Sequence, residues 1–213
     1  MNAPQSLDAL DLAALLCSRV CHDVISPVGA IVNGLEVLED EKDETMKKHA
    51  IDLIRKSAAQ ASARLQFSRL AFGAAGSAGA QLDLGDAENV SRALLQDERL
   101  SLVWNLPRAL LIKNRVKLLL NLLLIAVAAI PRGGKLTVDP VGEGENMGFR
   151  LTAAGTNAKV QPAVEAALSG AAAERIDAHA IQPHYTVLLA RVTGLKLSLS
   201  SAPDGITLTA SQA

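Results

Sequence analysis

His22 and Asp23 stand side by side in the stretch "VCHDVISP", residues 20 to 27, which Ser26 and Pro27 close. An imidazole has a pKa near 6.5, so at pH 7 it is largely neutral and a competent nucleophile. A carboxylate beside it can accept a hydrogen bond from one ring nitrogen, leaving the other to attack an electrophile such as phosphorus. The surrounding residues are rich in Ala and Leu and read as one long helix, in which His, Asp and Pro are weak formers or breakers. Their presence together points to use. A solvated surface histidine is the plain alternative, and spacing alone leaves it open.

The helix that must position this pair has its own pattern. Leu10, Ala14, Cys17, Cys21, Val24, Val28, Ile31, Leu35 and Leu38 follow one another in steps of four and three. That is a heptad seam, the pattern of a left-handed bundle. His22 falls at position b, away from the seam, with Ser18, Arg19, Ile25, Ser26 and Gly29 as helical neighbours. Pro27 removes the helical hydrogen bond to the carbonyl of Asp23 and predicts a kink beside the histidine. After the acidic loop "EDEKDE", a second run continues through Ile51, Ile54, Ala58, Ala61, Leu65, Ser68 and Phe72. Each run is roughly 45 Å long at 1.5 Å per residue, and the short loop makes the two antiparallel. Two helices cannot cover all their apolar positions, because Leu12, Leu15, Leu16 and Ile25 widen the first stripe. Pairing of two hairpins into a four-helix bundle, and so a homodimer, is expected, although the rest of the chain could cover part of this surface.

Beyond "FGAAGSAGAQ", residues 72 to 81, which reads as a flexible connection, the grammar changes. Helical patterns over "AENVSRALLQDE", "RVKLLLNLLLIAVAAI", "QPAVEAALSGA" and "PHYTVLLARVTG" alternate with strand patterns over "RLSLVWNL", "KLTVDP" and "GFRLTAAG". "LKLSLSSAPDGITLTA" reads as a closing hairpin. The fold class is therefore α+β, with a helical hairpin at residues 1–75 and an α/β sandwich at 82–213.

Composition narrows the function. Of 213 residues 49% are hydrophobic and only 2% aromatic, so the core is built from aliphatic side chains. The net charge of −1, with acids and bases interspersed and no basic stripe, argues against nucleic acid as a partner. Cys17 and Cys21 lie about one helical turn apart, a poor geometry for a mutual disulfide, and read as reduced core thiols. No cluster at metal-ligand spacing occurs in the sequence. His49, His179 and His184 read as surface residues. The N-terminus has no basic region before its apolar run, so no signal peptide is expected. The apolar run Leu118 to Ile130 is too short to span a bilayer. A soluble, cytoplasmic protein without membrane contact is expected.

"CHDVISPV" resembles the H-box of two-component histidine kinases, with His22, Asp23, Ser26 and Pro27 at its histidine, acidic, polar and proline positions. The second segment resembles that family's ATP-binding domain in degenerate form. In "NLLLIAVAAIPRGGKLTV", Asn121 fits the first asparagine of the N-box, but Ile125 stands where the Mg²⁺-binding asparagine should be. In "AAGTN", Ala153 takes the place of the aspartate and Asn157 that of the last glycine in the pattern Asp-x-Gly-x-Gly. "HAIQPHYTVLLARVTG" lacks the Gly-rich loop over the phosphates. An H-box hairpin joined to such a remnant is similar to the bacterial cell-cycle histidine phosphotransferases over nearly the whole chain.

That resemblance implies a relay. His22 would take phosphate from the receiver domain of a hybrid kinase resembling CckA and pass it to response regulators resembling CtrA and CpdR. Asp23 would assist, with Arg19, Ser26 and Pro27 in support. The receiver would supply Mg²⁺, so no metal, nucleotide or other cofactor is expected here. The run "SAAQASA", residues 57 to 63, forms a low ledge on the second helix, and Ile25, Ala59 and Ser62 are the expected docking residues for a receiver. Ala58 and Ala61 lie on the seam, where small residues also permit close packing. Two other readings are an ATP-dependent kinase core and a dimeric adaptor in which His22 is inert.

Overall fold

The computed structural model describes residues 7–73, 79–170, 177 and 180–212. Two long helices come first, α1 (Ala9–Asp40) and α2 (Glu44–Ala71). Asp8 caps α1 by accepting from the backbone N–H of Asp11 at 2.8 Å, and the helix runs without interruption through Pro27. The acidic loop is what joins the two. Glu41 accepts from the N–H groups of Lys42 and Asp43, and Asp43 accepts from those of Thr45 and Met46 at the start of α2. Carboxylates thus take up orphan donors that every helix start exposes. The same bonds hold the Glu41 and Asp43 carboxyls below their ordinary pKa values.

The hairpin closes on a face of α1 different from the heptad seam. Pro27 and Gly34 are its buried positions, with Ala50, Ser57, Ala61 and Ala63 buried on α2. A Cβ on Gly34 would lie 2.7 Å from Cγ1 of Ile54 and 3.4 Å from the Ala50 carbonyl oxygen. Only glycine permits that approach. Leu10, Ala14, Cys17, Cys21, Val28 and Leu35 of the expected seam are exposed on the single chain. On the single chain Cys17 and Cys21, expected as core thiols, are free and exposed. The steps of four and three describe an apolar stripe correctly but do not say which neighbour meets it.

A small antiparallel pair, β1 (Gln81–Asp83) with β3 (Leu110–Ile112), opens the second part. Between them lie α3 (Leu84–Leu95) and β2 (Leu100–Trp104). Then follow α4 (Lys113–Ala128), β4 (Gly134–Val141), β5 (Gly148–Ala154), α5 (Pro162–Ser169), α6 (Ile181–Thr193), β6 (Lys196–Ala202) and β7 (Gly205–Ser211). The main sheet has the order β2-β4-β5-β7-β6, parallel between β2 and β4 and antiparallel elsewhere. The expected closing hairpin is β6–β7, at one edge of this sheet. The β1–β3 pair was not legible, because three-residue strands carry too little periodicity.

The long apolar run of the sequence is α4, which fully buries Leu118, Leu119, Leu120, Leu122 and Leu123. Each such leucine stabilises the fold by about 1.5–3 kcal/mol relative to exposure. α4 packs against β5 and β7 on one side and α2, α3 and α6 on others, which is why its stretch from Arg115 to Leu123 is buried all round. The last turns of α2 join the same core through Phe67, Leu70 and Ala71. Phe72 follows them, its ring 6.0 Å from that of Tyr185 on α6. Of the flexible connection, residues 74 to 78 lie outside the described residues.

Candidate functional site

His22 stands on the outer face of α1 with its side chain 69% exposed, as position b predicts. Its Nδ1 lies 3.4 Å from Oδ1 of Asp23, a longer separation than an ordinary N–H···O hydrogen bond. The second carboxylate oxygen, Oδ2, accepts from Nε of Arg19 at 3.0 Å, one helical turn back. Arg19 and Asp23 are both about a quarter exposed. The carboxylate is thus anchored by Arg19 on one oxygen and faces the imidazole with the other. With the proton on Nδ1, Nε2 is the nucleophilic nitrogen on the far side of the ring.

Pro27 is buried, and its ring nitrogen carries no hydrogen for the carbonyl of Asp23. Nη1 of Arg64, from α2, donates to that carbonyl instead. Sequence reasoning missed Arg64. The signal was present: proline leaves one known carbonyl without its donor, and Arg64 is the cation that ends the small-residue run "SAAQASA".

Of the expected docking residues, Ile25 is 69% exposed on α1, while Ala59 and Ser62 are exposed on α2. Ser62 Oγ accepts from Nε2 of Gln66 at 2.9 Å. Ala61 is buried in the hairpin while Ala58 is exposed, so the ledge splits into a packing row and an outer row. Ser26 is exposed beside the histidine. Cys21, the residue before His22, has its thiol pKa raised by a hydrogen bond with Cys17 and by the charge that thiol can carry.

Asn121, expected at the first N-box position, is fully buried in the interior. Its amide donates to the carbonyls of Ala71 at 3.2 Å and Lys117 at 2.9 Å. Gln182 donates to the Asn121 carbonyl at 2.8 Å, and Thr186 donates to that of Gln182 at 2.8 Å. Ile125 and Ala153 are buried in the same core and offer no oxygen donor to a metal. Among the described residues, no three His, Cys, Asp or Glu side chains gather where they could hold a metal ion.

His49 is exposed, as expected. His184 is not a plain surface residue: it is part-buried on α6, and burial, aided by Arg191, lowers its pKa. His179 lies outside the described residues. By length and composition alone α1 would suffice to cross a membrane. That apolarity is the stripe described above, interrupted by the Arg19–Asp23 pair and His22.

A helical hairpin carrying an exposed histidine beside a part-buried aspartate, fused to an α/β sandwich, is the build of a phosphotransfer protein. Residues 84–205 match the family model described as the histidine phosphotransferase C-terminal domain, and the chain belongs to this family. It is 52% identical over 211 residues to protein phosphotransferase ChpT of Brucella abortus (strain 2308), covering 99% of this chain and 100% of that one. A solved bacterial phosphotransferase superposes with a TM-score of 0.90 at 50% identity, over 98% of this chain and 100% of the other. The protein is accordingly a phosphotransferase.

Proposed function

We propose that His22 is the phosphate carrier of a relay between receiver domains, and that no nucleotide takes part. The observation that carries this is the exposed imidazole whose Nδ1 faces a carboxylate held by Arg19. In the forward step, Nε2 attacks the phosphorus of a receiver's aspartyl phosphate. The N–P bond forms, the acyl P–O bond breaks, and the aspartate leaves as carboxylate. The positive charge that develops on the ring is shared through Nδ1–H with Asp23. In the second step, another receiver's aspartate attacks the phosphorus, and the N–P bond breaks. Such transfers depend on positioning and charge stabilisation, and the receiver brings the Mg²⁺.

The donor is the receiver of a hybrid kinase, CckA-like, and the acceptors are response regulators, CtrA-like and CpdR-like. Ile25 on α1 and Ala59 and Ser62 on α2 are exposed, which supports their reading as the residues a receiver would dock on. Ile125 and Ala153 in the core argue against ATP as donor. The exposed stripe through Leu10, Val28 and Leu35 supports a homodimer joined through a four-helix bundle, in the cytoplasm. Incubation with a ³²P-labelled receiver and Mg²⁺, without ATP, tests the relay. Label should move to the wild-type protein and not to His22→Gln. Label on the variant, or labelling that requires ATP, overturns it.

A further inference from the structure

The bond from Arg64 to the Asp23 carbonyl joins the two helices at the residue that faces the histidine. We infer that Arg64 is a positioning residue for His22, replacing the helical donor that Pro27 removes and so fixing Asp23 against the imidazole. The inference rests on the reading of His22 as phosphate carrier.

Without Pro27, the carbonyl of Asp23 would accept from the N–H of residue 27 and need nothing from α2. With Pro27, that carbonyl is a half-buried acceptor which tilts toward any donor it can find, water included. Arg64 supplies one fixed donor from a partly buried side chain on the facing helix. Asp23 is then held at two ends, by Arg64 on its backbone and by Arg19 on its carboxylate. One oxygen of that carboxylate is 3.4 Å from Nδ1 of His22. This contact is long, so a small rotation of the Asp23 peptide decides whether it orients the ring. Proline and arginine act as one unit: the first frees the carbonyl from its helix, and the second reattaches it to the other helix.

Three measurements on the full-length protein separate this role from general support of the hairpin. At saturating phosphorylated receiver, Arg64→Ala should slow single-turnover transfer between about 10-fold and 100-fold, the range a displaced reacting group gives. Receiver affinity should stay within about twofold, and Arg64→Lys should recover part of the rate. In a Pro27→Ala background, where residue 27 again donates to Asp23, Arg64→Ala should cost less than about threefold. The ¹⁵N signals of the His22 ring should move toward a mixture of tautomers in Arg64→Ala and return in the double variant. Equal rate losses in both backgrounds, or unchanged ring signals, would overturn the inference, whatever happens to thermal stability. Should Arg64→Ala fail to fold, Arg64→Gln enters the same cycle with the same criteria. His22→Gln is measured alongside: if it still accepts phosphate, the carrier reading fails. If it is inert while Arg64→Ala transfers at the wild-type rate, only the role of Arg64 fails.

Discussion

Asn121 donates its side-chain amide to the carbonyl oxygen of Ala71, tying the middle of α4 to the last residue of α2. A helix leaves its final carbonyls without helical donors, and this one is satisfied from inside the second domain's core. The hairpin and the sandwich are thereby joined by a buried polar contact as well as by the packing of Phe67 and Leu70. Replacing Asn121 with Leu leaves the Ala71 carbonyl unpaired and should cost about 1–3 kcal/mol. Urea denaturation should show the loss, and hydrogen exchange should quicken first in the last turn of α2.

Gly34 sets the spacing of the hairpin. Any larger side chain meets Ile54 at 2.7 Å from its first carbon onward. Gly34→Leu should therefore lower stability by about 1–3 kcal/mol through overpacking, despite the better helix propensity of leucine. Adding Ile54→Ala to Gly34→Leu should recover part of the loss. A midpoint equal to that of the wild type in the single variant would contradict the packing described.

Leu35 is 48% exposed on one chain and lies on the unpaired stripe of α1. In the proposed dimer it becomes buried. Leu35→Asp should then leave the helicity of each chain intact while breaking the dimer, since an unpaired charge buried there costs on the order of 3–5 kcal/mol. Sedimentation at micromolar protein should give a dimer for the wild type and a monomer for the variant. A wild-type monomer would remove the four-helix bundle from the proposal.

The turn between the helices should make stability depend on acid. Hydrogen bonds from Met46 and Thr45 depress the Asp43 pKa below 3.8, and those from Asp43 and Lys42 depress that of Glu41 below 4.5. A depressed carboxyl contributes stability that is complete above its unfolded pKa and is lost as pH falls through the folded value. The wild type should thus lose part of its stability below about pH 4.5. Asp43→Asn keeps a capping side chain but has no proton to gain. Its melting temperature should match the wild type near pH 7 and fall less steeply between pH 4.5 and pH 3. Parallel curves would remove Asp43 from the acid response.

The sequence by itself determined the two long helices, the outward direction of His22 and the Asp beside it, because the 3.6-residue period places side chains on faces without reference to anything distant. It also determined that the middle of α4 is buried, since the run from Leu118 to Leu123 is apolar on nearly every side. What covers each face is a tertiary matter. Heptad spacing marked Cys17, Cys21 and Leu35 as a seam, but Gly34 and Pro27, which carry no apolar signal comparable to leucine, are the buried positions of α1, and Gly34 is where α2 comes closest because only a residue without a side chain lets the two backbones approach. Likewise, Pro27 announced an unpaired carbonyl at Asp23, yet the donor lies 41 positions away in the chain. Asn121 read as the remnant of a nucleotide site, while its partners Ala71 and Gln182 come from helices far on either side. Hydrogen bonds between elements depend on how those elements dock, and docking follows the burial of the whole apolar surface rather than any local pattern.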